Sequence, residues 1–145
     1  MSWYPHVTVA TVIEDNGRFL FVEENSDGQL VFNQPAGHLE SGESLIDAAV
    51  RETLEETGWT IEVQGVVGIG LYDAPNDITY YRTTFFGKAL RHDPERLLDE
   101  GIVRAVWLDR DEITALAPRM RSPLVAKVIE QYCNGHRYPL SMITR

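Results

Sequence analysis

The sequence predicts an α/β layered domain with a mixed β-sheet. Two observations predict it: runs rich in β-branched and aromatic residues recur along the chain, and segments with helical signals separate and follow them. The 145 residues are expected to form one compact domain, residues 1–145, because a chain of this length buries enough surface to fold without disulfides.

The strands are predicted from their composition and from the turns between them. Residues 6–14 and 18–24 are expected to form an antiparallel hairpin, because Asn16 and Gly17 between them are typical of a two-residue turn. A loop is predicted at residues 35–44. Further strands are predicted at residues 30–33, 60–72, 78–89 and 102–108, with a polar loop at 91–101.

The clearest helix signal begins at Ser44. With Asp47 three residues later, Ser44 has the pattern of a capping box that opens a helix at residues 45–57, and Gly58 follows where helices commonly end. One face of this helix carries a stripe that can pack on a sheet: Ile46, Ala49, Val50 and Leu54, with Thr53 between them. Further helices are predicted at about 112–117 after Asp109 and at 123–133 after Ser122.

Charge and composition restrict the partners and the compartment. The formal net charge of −9 argues against a long nucleic acid or an anionic membrane, since both need a basic surface. No apolar run approaches the roughly 20 residues that cross a bilayer, and the first residues lack a signal-peptide pattern. The lone Cys133 fits a reducing compartment, so we expect a cytoplasmic protein. Monomer and homodimer both remain open.

Three carboxylates crowd one face of the predicted helix. Glu52, Glu55 and Glu56 lie at positions i, i+3 and i+4, so Glu56 is about 40° and Glu55 about 60° from Glu52 around the helix axis. Like charges at this spacing repel, and a divalent cation with oxygen ligands would remove the repulsion. Arg51 can orient one of these carboxylates, because it reaches Glu55 at i+4 or Asp47 at i−4. Taken alone, such a cluster is more often a solvated helix face.

The surroundings of the cluster decide between these interpretations. Gly37, Glu43, Arg51, Gly58 and Trp59 stand at set offsets from the glutamates in the segment GHLESGESLIDAAVRETLEETGW. The segment resembles the signature of the Nudix hydrolases: Gly, five residues, Glu, seven residues, Arg-Glu, two residues, Glu-Glu, one residue, Gly and an apolar residue. Seven fixed positions match by chance in roughly one window in 10⁸ to 10⁹. Thr53 departs from the pattern, which has a bulky apolar residue there.

The resemblance implies an α/β/α sandwich and a magnesium-dependent hydrolase, with manganese as a possible substitute. It implies that Glu52 and Glu56 bind the metal directly and that Glu55 binds a second metal or acts as general base. It also implies that the backbone carbonyl of Gly37 is a ligand. Arg51 is expected to position these groups, and Glu43 to hold the loop by pairing with Arg51.

Other segments resemble a phosphatase subgroup of the same family: PHVTVA, NQPAGHLE, RSPLVA and RYPL. This resemblance implies release of phosphate from nucleoside di- and triphosphates. It also implies hydrolysis of hydroxymethylpyrimidine pyrophosphate and thiamine pyrophosphate.

Substrate contacts are expected from several separate segments. Many family members use a further acidic residue from a later loop, for which Asp99 and Glu100 are candidates. Arg119 and Arg121 precede the helix at Ser122 and could form an anion site, although exposed arginines are common. The remaining candidates each have a structural alternative: His38 as a loop residue, and Tyr72, Tyr80 and Tyr81 as core.

Two other functions compete with this prediction. Pro75 lies near the position of a proline in pyrophosphatases of ADP-ribose and other nucleoside-diphosphate sugars, but turns favour proline anyway. A non-catalytic ligand-sensing or metal-binding domain is the other alternative, and it predicts no turnover with magnesium.

Overall fold

The computed structural model describes residues 2–145. In chain order, its strands are β1 (His6–Asp15), β2 (Arg18–Ser26), β3 (Gln29–Asn33), β4 (Ala36–His38), β5 (Trp59–Asp73), β6 (Thr79–His92), β7 (Ile102–Asp109) and β8 (Tyr138–Pro139). The α-helices are α1 (Leu45–Thr57), α2 (Arg110–Ala115) and α3 (Pro123–Cys133), with short 3₁₀ turns at Ala117–Arg119 and Leu140–Met142.

The strands form one mixed sheet in the order β3-β2-β1-β6-β5-β8, with β4 paired to β1 and β7 paired to β2. The parallel pairing joins β1 to β6, where His6 is opposite Tyr80 and Ile13 is opposite Gly87. Strand β1 pairs with β4 along its first half and with β2 only at its end. The predicted mixed sheet is confirmed.

The hairpin between β1 and β2 forms at the predicted turn. Asp15 pairs with Arg18, which leaves two residues in the turn. Asn16 and Gly17 have φ angles of 52° and 80°. This is the left-handed geometry of the hairpin turns that Asn-Gly favours.

Helices cover both faces of the sheet and divide the core in two. On one face, α1 packs through Ala48 and Ala49 onto residues such as Val9 and Phe85. On the other face, α2 and α3 pack on a second cluster: Val12, Phe19, Phe21, Phe32, Val67, Leu108, Ile113, Val125, Val128, Ile129 and Tyr132. This arrangement is the predicted α/β/α sandwich.

Some local expectations were wrong. Residues 36–38 are strand β4 rather than loop, because their backbone pairs with β1 at Thr8, Val9 and Ala10. Helix α2 begins at Arg110, directly after its cap Asp109, and ends before the predicted segment does. Strand β8 was missed, since its two residues are extended only by pairing with β5.

No helix in residues 2–145 is long and apolar enough to cross a membrane.

Candidate active site

Helix α1 separates an apolar face from an acidic face, as its sequence predicts. Ser44 caps its first turn by accepting a bond from the Asp47 amide (3.0 Å), and Gly58 ends it in the left-handed conformation. Thr53 is fully buried on the core side, where its hydroxyl donates to the Ala49 carbonyl (2.8 Å). The departure from the family pattern at Thr53 therefore leaves no unsatisfied hydroxyl in the core.

Two carboxylates of this helix converge with a third from a distant loop. One oxygen each from Glu52, Glu56 and Asp99 lies within 4.8 Å of the others. Glu52 and Glu56 come from successive turns of α1, and Asp99 comes from the loop before β7. Because these oxygens are close enough to share one ion, the arrangement can hold a divalent metal.

Glu56 is the most buried member of this group, with 8% of its surface exposed. Its carboxylate accepts a hydrogen bond from the Ala36 amide (2.9 Å), which opposes part of the cost of burial. Burial nevertheless raises the pKa of Glu56 to about 9, and the nearby acids Glu24, Glu52 and Asp99 act in the same direction. Burial also raises the pKa of Glu52, against the opposing effect of Arg51.

Gly37 forms a cradle for Glu52. A Cβ atom at position 37 would coincide with the carboxylate group of Glu52, closer than real contacts allow. Gly37 belongs to β4, which pairs with β1 at Val9. The short strand therefore brings backbone without a side chain against the Glu52 carboxylate.

Arg51 joins the loop before α1 to the acidic face. Its guanidinium donates two bonds to Glu43 (2.6 and 2.9 Å), and one each to Glu52 and Glu55 (2.8 Å both). It also donates to the His38 carbonyl (3.1 Å). These contacts hold the pKa of Glu43 below its usual range and raise that of Arg51. The predicted pairing of Glu43 with Arg51 is confirmed. Of the two carboxylates four residues from Arg51, Glu55 rather than Asp47 pairs with it.

The loop that carries Asp99 is attached to α1 at two points. The Asp93 amide donates to the Gly58 carbonyl (2.9 Å), and the Asp99 amide donates to the Glu55 carbonyl (3.0 Å). Burial raises the pKa of Asp99, and the charge of Glu55 raises it further. The end of α1 thus positions the third carboxylate as well as the first two.

Glu52 and Glu56 border a cavity of about 350 Å³ between the sheet and the start of α3. Glu52 and Glu56 lie at one end, whereas Tyr72, Tyr80 and Leu124 supply aromatic and apolar wall. The rings of Tyr72 and Tyr80 are nearly parallel, at 17°, and their centroids are 6.4 Å apart. The cavity is large enough for a small organic compound with an acidic anchor at one end.

The candidate substrate contacts from the sequence fall into two groups. His38 and Arg121 line the cavity. Arg119 instead donates to Glu23 (2.7 Å) and lies over the Phe32 ring. Glu100 is exposed and lies outside both the cavity lining and the carboxylate group that contains its neighbour Asp99.

Comparison with known proteins places this site in a family. The family model described as NUDIX domain matches residues 4–131. The chain belongs to the Nudix hydrolases. Escherichia coli (strain K12) phosphatase NudJ is 42% identical over 139 residues, which cover 96% of this chain and 90% of NudJ. The protein is thus a Nudix hydrolase related to this phosphatase, and it acts on pyrophosphate bonds.

Solved Nudix structures share the fold. A NUDIX hydrolase from Nitrosomonas europaea superposes with a TM-score of 0.96 at 48% identity, covering 98% of this chain and 97% of that chain. An ADP-ribose pyrophosphatase from Streptococcus suis superposes with a TM-score of 0.70 at 19% identity, covering 93% of this chain and 96% of that chain. At this lower identity the likeness concerns the fold alone.

The donor set fits the divalent metals that Nudix hydrolases generally use. Carboxylate oxygens are the ligands that hard cations such as magnesium prefer. Glu52, Glu56 and Asp99 repel one another, and burial raises the pKa of each. A cation among them would therefore favour their charged forms and offset both effects.

Sequence reasoning missed the polar floor of the Nudix cavity, which includes Thr8, Asn33 and Arg82. A signal existed for Arg82. Residues 80, 82, 84 and 86 share one face of β6, because successive side chains of a strand point to opposite faces. A charged residue on the same face as the partly buried Phe86 is unusual. The three tyrosines were expected either to contact substrate or to lie in the core. Tyr72 and Tyr80 line the cavity, and Tyr81 is exposed.

Proposed function

We propose that this Nudix hydrolase depends on Mg²⁺, with Mn²⁺ as a substitute, and cleaves phosphoanhydride bonds of small diphosphate compounds with release of phosphate. The proposed substrates are nucleoside di- and triphosphates, hydroxymethylpyrimidine pyrophosphate and thiamine pyrophosphate. The observation that carries the proposal is that Glu52 and Glu56, which converge with Asp99, line one end of a cavity whose other walls suit a planar ring.

We assign the metal to Glu52, Glu56 and Asp99, with the Gly37 carbonyl as a further ligand. When bound, a divalent cation supplies positive charge that lowers the pKa of a water molecule and neutralises phosphate oxygens. Arg51 keeps Glu52 and Glu55 in place through its bonds of 2.8 Å. Gly37 and the Ala36 amide hold the Glu52 and Glu56 carboxylates against β4.

Glu55 is the proposed general base. Its carboxylate is partly exposed and is fixed by Arg51, outside the group of three carboxylates that converge. In the reaction, a water oxygen bonds to phosphorus, the bridging phosphorus–oxygen bond breaks, and the water proton passes to Glu55. The products are phosphate and the organic monophosphate when the substrate is a diphosphate, and phosphate and the organic diphosphate when it is a triphosphate.

We also propose that residues 1–145 work as a single domain, in the cytoplasm, on a small phosphorylated partner. Cys133, on α3, is free, which supports a reducing compartment. Whether the working unit is a monomer or a homodimer is to be measured by light scattering.

A substrate screen tests the proposed function. Purified protein is incubated with the proposed substrates and Mg²⁺, and the phosphate, pyrophosphate and monophosphate released are quantified. Glu52→Gln is expected to remove at least about 99% of the activity, since it replaces a metal-binding carboxylate. Glu62→Gln, an exposed glutamate on β5, serves as the matched control. The proposal fails if no compound is hydrolysed faster than in the Glu52→Gln protein.

The same screen separates the alternative substrates. ADP-ribose and other nucleoside-diphosphate sugars would yield AMP or another nucleoside monophosphate together with a sugar phosphate, without free phosphate. Fast release of AMP from ADP-ribose, with slow release of phosphate from nucleoside diphosphates, would favour that alternative.

A further inference from the structure

Arg82 is a buried charge on the floor of the active-site cavity. It lies on β6, opposite Thr8 of β1 and Gly70 of β5. Only 7% of its surface is exposed, yet it contributes to the lining of the cavity that also contains Glu52 and Glu56. Burial lowers the pKa of Arg82 to about 10, so the guanidinium stays charged at neutral pH.

The partners of this guanidinium are all neutral. It donates to the side-chain oxygens of Thr84 (3.3 Å), Asn33 (3.0 Å) and Gln34 (2.8 Å). An arginine has five N–H donors, and these three bonds leave two without a protein acceptor. Among the ion pairs within residues 2–145, none includes Arg82.

Arg121, which also lines the cavity, shows the contrast. It is exposed, and its guanidinium donates to the Glu24 carboxylate (2.6 Å), so its charge is already balanced. Arg82 therefore carries a charge that no carboxylate within residues 2–145 neutralises. A buried charge without a counter-ion is costly, and proteins retain one where another component supplies the opposite charge.

The neutral partners also position Arg82. Gln34 is fully buried, and its amide nitrogen donates to the Val125 carbonyl of α3 (2.7 Å), which leaves its oxygen to face the guanidinium. Asn33 contributes its oxygen in the same way and itself lines the cavity. The arginine is thus held at the cavity floor without being neutralised, as a preorganised anion-binding group requires.

We propose that Arg82 is a substrate-binding residue whose guanidinium holds a phosphate group of the bound compound, separately from the metal-binding carboxylates. A phosphate fits better than a neutral ring acceptor, because only an anion supplies the missing counter-charge, and the guanidinium fork matches phosphate geometry. This inference rests on the proposed function, since it names the part of the phosphorylated substrate that is bound.

Binding measurements without turnover test the proposal. Calorimetric titration of the Mg²⁺-saturated protein compares cytidine monophosphate, a product-type ligand, with uncharged cytidine. Arg82→Met is expected to weaken monophosphate binding at least about ten-fold and to leave cytidine binding unchanged. Arg82→Lys keeps the charge and is expected to retain part of the affinity. Arg91→Met, an exposed arginine on the same strand, is the control and should bind as the unaltered protein does.

Asn33→Asp keeps the test decisive if Arg82→Met unfolds. The new carboxylate would lie at hydrogen-bond distance from the guanidinium and give Arg82 an internal counter-ion. The expected result is an unchanged or higher melting temperature, together with at least about ten-fold weaker monophosphate binding and unchanged cytidine binding.

Several outcomes would overturn the proposal: equal monophosphate affinity with and without Arg82, an equal loss for cytidine, or no monophosphate binding by the unaltered protein. A chain that hydrolyses nothing but binds monophosphate through Arg82 would refute the proposed function alone. A chain that hydrolyses diphosphates equally well with Arg82→Met, and binds monophosphate equally well, would refute this inference alone.

Discussion

The two ends of the active-site cavity are built in different ways. At the acidic end, two of the three converging carboxylates come from successive turns of α1, and Arg51 on the same helix holds Glu52. At the aromatic end, Tyr72 and Tyr80 come from two strands, and Leu124 comes from α3. The acidic end is one local motif, whereas the aromatic end exists only after the sheet and α3 have packed together.

This difference separates chemistry from specificity. The acidic end is expected to perform the same hydrolysis on any compound whose phosphates reach it. The aromatic end is expected to decide which compounds do so, through ring contacts. Substitutions at the acidic end should therefore reduce the rate for all substrates, and those at the aromatic end should change the preference among them.

Gly37→Ala is expected to give the largest effect. The added methyl group would displace the Glu52 carboxylate, and a misplacement of this size costs about 100-fold in kcat/KM. Gly68→Ala is the matched control, because its Cβ would meet nothing closer than 3.9 Å. Steady-state rates for two different substrates measure both variants. Loss for only one of the substrates would contradict the role given to the acidic end.

Asp99→Asn is expected to give the next largest effect, on metal binding. Removing one converging carboxylate should raise the Mg²⁺ concentration for half-maximal rate by at least about 10-fold. The neighbouring Glu100→Gln is the control, since Glu100 lies outside the group. Rates measured over a range of Mg²⁺ concentrations decide the matter. If Glu100→Gln has the larger effect, the assignment of the third ligand is wrong.

Tyr80→Leu is expected to act at the aromatic end. Loss of the ring should raise KM for ring-bearing substrates about 10-fold, as expected for one aromatic contact, with kcat nearly unchanged. Tyr81→Leu is the control, because Tyr81 alternates to the other face of β6 and is exposed. Tripolyphosphate, which has no ring, should be hydrolysed equally by both variants. A lowered kcat for tripolyphosphate in Tyr80→Leu would place this residue in the chemistry instead.

The smallest expected effect is on stability and follows from Glu56. Burial raises its pKa to about 9, so without metal the folded protein retains a proton that the unfolded chain releases above its ordinary carboxyl pKa. Stability should therefore fall as the pH rises towards 9, by at most about 1.4 kcal/mol per pH unit. Glu52 and Asp99, whose pKa values are also raised, act in the same direction.

Thermal unfolding in EDTA measures this dependence. The melting temperature is expected to fall by about 5 °C between pH 6 and pH 8, and Glu56→Gln should flatten most of the slope. Glu62→Gln should keep the slope of the unaltered protein. Parallel slopes for the unaltered protein and Glu56→Gln would show that Glu56 is not the titrating group.

The elements that local chemistry dictates were predictable from the sequence. Helix α1 begins and ends where Ser44 and Gly58 predict, and the first hairpin turns at Asn16. Strands β4 and β8 were not predictable in this way. Both are only a few residues long and are extended because a neighbouring strand pairs with them. A single sequence does not contain that pairing in a local pattern.

In the candidate site, too, the residues placed by local geometry were predictable and those placed by tertiary structure were not. Glu52, Glu55, Glu56 and Arg51 stand within one helical turn or two, so their proximity follows from helix geometry. The choice between Asp99 and Glu100 depends on the path of a loop, and only the three-dimensional structure brings Asp99 beside the glutamates. Arg82 was noticeable in the sequence as a charged residue on a face of β6 that also carries Phe86. That its partners are neutral depends on Asn33 and Gln34, nearly 50 residues away.

The loop before β7 is bonded to the end of α1 at both of its ends, whereas the amides of Glu95 and Arg96 between them donate back to Asp93 within the loop. The Asp93 amide bonds to the carbonyl of Gly58, which caps α1, and the Asp99 amide bonds to the Glu55 carbonyl one turn earlier. Leu97 lies between them and is 93% exposed. Because lengthening a closed surface loop costs little free energy, a peptide inserted between residues 97 and 98 can be accepted while Asp99 stays in register with the helix. This segment is therefore the natural place to attach a fluorescent or affinity tag that reports on the working enzyme without disturbing it.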